Sequence, residues 1–258
     1  MSNVCSALPV FTGMALPLDA HDAASAPMCR APRAMRSQPW TGPAHCLHAV
    51  PLPATAEPDV SFLFRMCLAP KQGLDPKSYA RAATALGVDV AVIRAVAEVE
   101  TSGRAFDSEG RPRILFERHY FHRLTQGRFD HAHPDISNAL RGGYGTFSAQ
   151  YPKLAKAYRL APTAALQSAS WGRFQIMGKN FHAAGFPSVQ WFVLALSRSE
   201  ANHLEAFARF LKSDKAMLDA LRNRRWSSFA SRYNGAGYRD SNYDGKLERA
   251  YRRLSATQ

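Results

Sequence analysis

The sequence lacks any apolar run approaching the roughly 18 residues that span a bilayer, so it predicts no transmembrane helix. Its first twenty residues contain no Lys or Arg, and Pro9 and Pro17 interrupt their apolar side chains. A secretory signal is not expected, because the positively charged segment that begins such signals is missing. Only four cysteines occur, all before residue 70, and none lies in CxxC or zinc-ligand spacing. We therefore predict neither a metal site nor a cofactor.

Acidic residues are scarce relative to basic ones: 20 Asp and Glu stand against 33 Lys and Arg, a net charge of +13. The excess lies entirely in residues 70–258, because the four basic residues before them are balanced by four acidic ones. A domain with this charge is attracted to a polyanion, such as nucleic acid, an acidic membrane surface or an anionic cell-wall polymer. Charge alone does not choose among these partners.

The chain divides into two regions by composition. Residues 1–70 are rich in Pro and Ala without sustained periodicity, which predicts a poorly ordered leader. Residues 71–258 are predicted to form one α+β domain, predominantly helical, with a small β element inserted early at RILFE, 113–117. Pro76 suits the first turn of a helix that Gly87 ends. Further helices are predicted over residues 149–158, 162–168, 179–184, 189–198, 200–212, 215–222, 226–233 and 244–254.

The stretch DVAVIRAVAEVETSG, residues 89–103, predicts a helix that Asp89 can cap and that brings a carboxylate to a break in the chain. Glu98 and Glu100 lie about 200° apart around the helix axis, so they cannot share one role. Glu98 follows Arg94 by four residues, which predicts a solvated ion pair. Glu100 lies on the apolar face, where desolvation would raise its pKa towards the range of a general acid. Spacing alone equally permits an exposed, inert helix end.

The stretch SASWGRFQIMG, residues 168–178, is a second polar cluster. Between its glycines it carries Trp171, Phe174 and Gln175, and aromatic faces beside an amide suit the binding of sugar rings. An ordinary packing segment with a satisfied glutamine is an equally good interpretation of this pattern.

The stretch SRYNGAGY, residues 231–238, is the third cluster. Asn234-Gly235 is a turn signal, and Tyr233 and Tyr238 flank it. The alternative interpretation is a surface loop between two helices.

In this order, the segments VIRAVAEVETSG, GRPRILFERHYFHRL, GGYGTFSAQYPKL, SASWGRFQIMG and RYNGAGY resemble the N-acetylmuramidase domain of phage and prophage endolysins. That domain belongs to the lysozyme-like superfamily, and the resemblance covers about residues 75–254. It implies a lysozyme-like fold and a glycoside hydrolase that cleaves the β-1,4 bond between N-acetylmuramic acid and N-acetylglucosamine in peptidoglycan. Glu100 matches the catalytic acid of the superfamily, and Tyr233-Asn234-Gly235 resembles a groove motif.

The resemblance leaves the second catalytic group open. Glu117 is the candidate second carboxylate, although it could instead be structural and paired with Arg113 or Arg118. Asp107, Asp130 and Asp135 are further candidates, since a hydrolase of this kind uses a second carboxylate at roughly 5–9 Å. The predicted substrate-binding residues are Gln175, Tyr144, Trp171, Tyr233, Asn234 and Tyr238.

Three alternatives to hydrolysis remain at this point. A lytic transglycosylase would use the same Glu100 with the acetamido and hydroxyl groups of the substrate. A non-catalytic wall-binding protein, or a basic nucleic-acid-binding protein, would explain the charge but not the grouped motifs. We therefore expect peptidoglycan and not nucleic acid as the partner.

Partners and location follow from the same interpretation. Nine cations near the C-terminus predict an approach to anionic lipopolysaccharide: Arg222, Arg224, Arg225, Arg232, Arg239, Lys246, Arg249, Arg252 and Arg253. The protein is expected to be a monomer that accumulates in the host cytoplasm. It would act on periplasmic peptidoglycan after the inner membrane has been opened.

Overall fold

A computed structural model describes residues 57–64, 73–100 and 105–257 of the chain. Within these ranges the fold is mostly helical with one small sheet, as predicted, and no described helix is long and apolar enough to cross a membrane. The α-helices are α1 Pro76–Leu86, α2 Val90–Glu100, α3 Arg118–Leu124, α4 Gln150–Leu160, α5 Pro162–Gln167, α6 Val189–Leu196, α7 Glu200–Ser213, α8 Lys215–Arg222, α9 Trp226–Asn234 and α10 Tyr243–Ser255. The strands are β1 Ile114–Phe116, β2 Ala169–Trp171 and β3 Ile176–Met177.

Helix α1 begins and ends at the residues that the sequence predicts. The Asp75 carboxylate accepts a hydrogen bond of 2.7 Å from the backbone N–H of Ser78, and Pro76 occupies the first turn. Gly87 takes a left-handed conformation (φ 65°) that ends the helix. The chain then turns directly into α2, which places α2 beside α1.

Helix α2 is the buried centre of the described domain. Val92, Ile93 and Val96 are each at most 1% exposed, because the apolar stripe of α2 faces the core. Helix α10 packs against α2. The pairing of the second helix with the last brings residues 143 positions apart in sequence into contact.

The sheet is antiparallel in the order β1-β2-β3, with Ile114 opposite Trp171 and Trp171 opposite Ile176. Strands β2 and β3 form a hairpin whose turn is residues 172–175, a feature that the sequence analysis does not predict for this stretch. Gly178, the second glycine of the stretch 168–178, lies very close to helix α5. A Cβ atom at this position would be 2.0 Å from the carbonyl oxygen of Leu166. Gly178 therefore serves backbone packing, whereas Gly172 has a left-handed backbone (φ 71°) beside the His203 ring.

Two predicted boundaries are corrected. Residues 57–64, assigned to the leader, include a 3-10 helix at Ser61–Phe64 whose Leu63 is fully buried, and the preceding Val60 is also fully buried. The domain therefore extends before residue 71, because this short apolar run has enough side chains to join the core. The rest of the predicted leader, residues 1–56 and 65–70, lies outside the described residues.

The helix predicted over 179–184 is also corrected. It is a 3-10 helix at Gly178–Asn180 followed by turns. So short a segment, ended by Gly185, gains too few hydrogen bonds to offset the cost of nucleating an α-helix.

Candidate active site

The candidate site is built around Glu100, the last residue of α2. Its side chain is on the buried face of the helix and is only 9% exposed. Burial raises the pKa of Glu100 from 4.5 to about 7, and a hydrogen bond from Tyr243 acts in the opposite direction. A carboxyl group with this pKa is partly protonated at neutral pH, as predicted from the helical face. Residues 101–104, which include the rest of the Glu-Thr-Ser-Gly cluster, lie outside the described residues.

Tyr243, the first residue of α10, donates its phenol O–H to Oε1 of Glu100. It is 3% exposed, and burial together with the charge of Glu100 raises its pKa well above the usual range. While Oε1 accepts from Tyr243, Oε2 is the oxygen on which Glu100 can carry a proton. The sequence analysis missed Tyr243. The signal was present, since it lies five residues beyond the YNGAGY motif at a helix start.

Helix α9 ends beside this pair with Tyr233 and Asn234. Tyr233 is 2% exposed, and its hydroxyl donates to the carbonyl oxygen of Phe174 at 2.8 Å. Burial and then the negative charge of Glu100 raise the pKa of Tyr233 well above its usual range. The Nδ2 atom of Asn234 is buried without a well-aligned hydrogen-bond partner. Tyr233 thus supports the wall behind Glu100, and the side chain of Asn234 interacts with the Tyr243 hydroxyl, which opposes the rise in the pKa of Tyr243.

The turn of the β2–β3 hairpin is attached to α2, α7 and α9. Arg173 donates to the carbonyl oxygen of Ala97 in α2 at 3.4 Å and forms an ion pair of 2.7 Å with Glu200. Gln175 holds a left-handed backbone (φ 47°), which is rare for a residue with a side chain. Its Nε2 closes the turn by donating 2.7 Å to the carbonyl oxygen of Gly172. Strained residues of this kind cluster at functional sites.

Three predicted sugar-binding residues are buried, which corrects their expected role. Trp171 is 1% exposed and its indole N–H donates to the carbonyl oxygen of Leu166 at 2.9 Å, so its ring has no face free for stacking. Tyr238 is 7% exposed, and Tyr233 is buried as described above. Buried in this way, the aromatic rings stabilise the domain by packing against apolar neighbours. Gln175, Asn234 and Tyr144 are only partly buried.

Glu117 lies directly after β1 and is 1% exposed. The predicted ion pair of Glu117 with Arg113 or Arg118 does not form. Arg118 instead donates to the carbonyl oxygens of Leu140 and Arg141, and Arg113 lies over the ring of Phe147. The Oε2 atom of Glu117 lies 3.2 Å from Nδ1 of His119.

Tyr144 also faces Glu117. Its pKa is raised to about 12 by burial first, and then by the charge of Glu117 and hydrogen bonding to it.

Glu117 directly follows β1, whose Phe116 pairs with Ala169 of β2, three residues before the turn that contacts α2. Its role as the second carboxylate stays a prediction.

The other candidate carboxylates are held in local contacts. Asp107 pairs with Arg111 at 2.8 Å, Asp135 pairs with Lys156 at 2.7 Å, and Asp130 lies 2.6 Å from His122. In the part of the chain that is described, no three His, Cys, Asp or Glu side chains converge so as to hold a metal ion.

The predicted basic C-terminal region is partly neutralised. Five of its nine cations form ion pairs with carboxylates: Arg224, Arg225, Arg232, Arg252 and Arg253. The last of these joins Glu98, where the sequence analysis expected Arg94 as the partner. The exposed Lys246 and Arg249 are the cations of α10 for which the structure records no ion pair within the described residues.

Comparison with known proteins gives consistent results. The model of the N-acetylmuramidase family matches residues 89–255. The crystal structure of the Burkholderia AP3 phage endolysin superimposes with a TM-score of 0.67 at 46% identity, covering 72% of this chain and 74% of that chain. A search of curated proteins finds no significant match.

Proposed function

Because the chain belongs to the N-acetylmuramidase family, and is thus a peptidoglycan-degrading glycoside hydrolase of the lysozyme type, we propose that Glu100 is its general acid. The observation that carries this proposal is the burial of Glu100, which raises its pKa to about 7. Protonated on Oε2, Glu100 would donate to the glycosidic oxygen between N-acetylmuramic acid and N-acetylglucosamine as the bond breaks. Tyr243 would orient the carboxyl group through Oε1.

The second step is assigned to the substrate. Asp107, Asp130 and Asp135 are engaged in local ion pairs or hydrogen bonds, and Glu117 contacts His119 and Tyr144. We propose that the acetamido oxygen of N-acetylmuramic acid attacks the anomeric carbon while Glu100 protonates the leaving sugar. The ionised Glu100 then removes a proton from water, which opens the cyclic intermediate and leaves a reducing end.

Substitution of Glu100 by Gln and analysis of the products together test this assignment. We expect wild-type protein to clear purified peptidoglycan and release reducing ends, and the Glu100→Gln variant to do neither. Anhydro-muramyl ends would instead assign the second step to an internal hydroxyl of the substrate, as in a lytic transglycosylase. Equal clearance by both proteins would remove Glu100 from the mechanism.

We propose further that the protein acts as a monomeric endolysin, which is made in the host cytoplasm and reaches periplasmic peptidoglycan once the inner membrane is opened. Its 46% identity to a phage endolysin supports this role. Host cells that express the protein should lyse only when the membrane is permeabilised separately. Lysis by the protein alone would contradict the proposed route.

Anionic lipopolysaccharide is proposed as a second contact, through Lys246 and Arg249 on the exposed side of α10. These two cations are better probes than Arg252 and Arg253, because the latter already pair with Glu248 and Glu98. Reversal of Lys246 and Arg249 to Glu should weaken lipopolysaccharide binding and its dependence on salt. Unchanged binding would show that this side of α10 is only solvated.

A further inference from the structure

The most exposed large hydrophobic side chains of the described residues all lie between β1 and α4. Leu140 is 72% exposed, Phe147 is 42% exposed and Leu124 is 40% exposed. A single exposed hydrophobic residue is ordinary on a soluble protein, but the restriction of all three to one segment is not. This segment is therefore a candidate surface for contact with a partner or a membrane.

Leu124 and Leu140 lie on neighbouring parts of the fold. Leu124 is the last residue of α3, a helix of seven residues that is about 10 Å long. Arg118, the first residue of α3, donates to the carbonyl oxygens of Leu140 and Arg141 at 3.2 and 3.5 Å. These hydrogen bonds engage only the backbone of the loop, so the side chains of Leu140 and Arg141 stay exposed. The loop thus holds an aliphatic side chain and a guanidinium next to each other in solvent.

Further cations gather around the ring of Tyr120, which lies within α3. Arg123 and Lys179 lie over this ring, with their charged groups 5.1 and 4.6 Å from its centre. Burial raises the pKa of Tyr120, and the charges of Arg123 and Arg141 oppose that rise. Burial and then the charge of Arg123 lower the pKa of Lys179. Like charges are therefore held near one another, which favours the binding of an anion.

The acidic residues of this region do not neutralise these cations at the surface. Glu117 is 1% exposed, and Asp135 pairs with Lys156 at 2.7 Å. Asp130 lies 2.6 Å from His122. Within the described residues, the structure records no ion pair with a carboxylate for four cations: Arg118, Arg123, Arg141 and Lys179. We call these four cations, together with Leu124 and Leu140, the α3 surface.

We propose that the α3 surface binds the headgroup region of a phospholipid bilayer that contains anionic lipid. Leu124 and Leu140 would enter the boundary between headgroups and acyl chains, and the four cations would contact lipid phosphates. A bilayer is favoured over an anionic polymer, because a polymer would contact the cations but would leave both leucines in water. This contact goes beyond the proposed cleavage of peptidoglycan and does not involve Glu100.

Sedimentation of the whole protein with vesicles tests this proposal. We expect the protein to bind vesicles that contain phosphatidylglycerol and to bind poorly to vesicles of phosphatidylcholine alone. Added salt should release the bound protein, because it screens the charges at the membrane surface. Equal binding to both kinds of vesicle, or binding to neither, would overturn the proposal.

One pair of substitutions separates the α3 surface from the net charge of the protein. Arg141→Gln should weaken binding to the anionic vesicles roughly fivefold, which is the contribution of one cation near an anionic membrane. Lys212→Gln, at an exposed cation of α7, removes the same charge and should change binding little. An equal loss in both variants would assign binding to overall charge and would overturn the proposal.

A second pair of substitutions tests the apolar part of the α3 surface. Leu140→Ser should weaken binding to the same vesicles roughly tenfold, because a leucine side chain is no longer buried on binding. Leu140→Met keeps an apolar side chain of similar size and should bind as the wild type does. Unchanged binding by Leu140→Ser would mean that the leucine stays in water, which would contradict the proposed insertion.

The peptidoglycan wall is the competing partner for this surface. Leu140→Ser and Arg141→Gln should retain the wild-type turnover of a soluble tetrasaccharide and the wild-type binding to purified peptidoglycan. A loss of either property with vesicle binding unchanged would assign the α3 surface to the wall and overturn membrane binding. Glu100→Gln should bind vesicles as the wild type does, so failure of the proposed general acid would leave this inference standing.

Discussion

Glu100 and Glu117 are both buried carboxylates at helix ends, but their surroundings differ. Glu100 ends α2 and receives a hydrogen bond from Tyr243, whereas Glu117 precedes α3 and keeps one oxygen without a partner. The environment of Glu100 is set by apolar burial, which favours its protonated form. Glu117 instead shares its site with His119 and Tyr144, which can form hydrogen bonds. Burial of a carboxylate therefore suits the proton transfer proposed for Glu100, whereas Glu117 is buried among groups that can form hydrogen bonds.

The largest difference should be in activity. Glu100→Gln removes the proposed proton donor, and general acid catalysis contributes about 10²–10⁴-fold, so turnover of a short glycan should fall by that factor. Glu117→Met should leave turnover of the same short glycan unchanged. Initial rates on a tetrasaccharide measure both variants, and equal losses would show that the two carboxylates act in one step.

The second-largest expected effect is on the pH dependence of the free energy of unfolding. The folded-state pKa of Glu100 is raised from 4.5 to about 7, so the folded protein retains a proton that the unfolded chain has lost. Wild-type stability should therefore fall as the pH rises from 4.5 to 7, by about 3 kcal/mol in total at 1.36 kcal/mol per pKa unit. Glu100→Gln should lack this fall. Urea unfolding at pH 4 and pH 8 measures the free energy of unfolding of both proteins. If wild type and Glu100→Gln differ by the same amount at both pH values, the raised pKa is contradicted.

Removal of the phenol partner should move the pH dependence of activity. In Tyr243→Phe the ionised form of Glu100 loses a hydrogen bond, so the pKa of Glu100 should rise further. Hydrogen bonds to charged groups contribute about 1.5–3 kcal/mol, which corresponds to roughly 1–2 pH units. The alkaline limb of the kcat/KM profile should shift upwards by that amount. A shift downwards would mean that Tyr243 does not stabilise the carboxylate.

The smallest effect is expected at Glu98, two residues before Glu100. Its ion pair with Arg253 lies on the surface, where such pairs contribute about 0–1 kcal/mol. Glu98→Gln should leave kcat/KM unchanged and should lower the free energy of unfolding by less than about 1 kcal/mol. A large loss of activity would mean that the two faces of α2 are not separated in function.

Local features of the fold were predictable from the sequence. Asp75, Pro76 and Gly87 set the bounds of α1 through contacts within a few residues, which spacing reveals. The burial of Glu100 also follows from the period of α2, since residues four and seven positions apart share a face.

Long-range contacts were not predictable in the same way. Tyr243 meets Glu100 across 143 positions, and no periodicity encodes that pairing. Trp171 was expected to stack on sugar because aromatic residues suit both sugars and cores. Only the tertiary structure reveals that its indole is 1% exposed.

The central claim is that Glu100 is the proton donor because burial raises its pKa, and direct titration tests it. The side-chain carboxyl signal that disappears in Glu100→Gln can be followed by carbon NMR while kcat/KM is measured over the same pH range. We expect the carboxyl group to titrate near pH 7 and the alkaline limb of kcat/KM to have the same midpoint. Titration near the ordinary value of 4.5, with activity persisting well above it, would contradict the account.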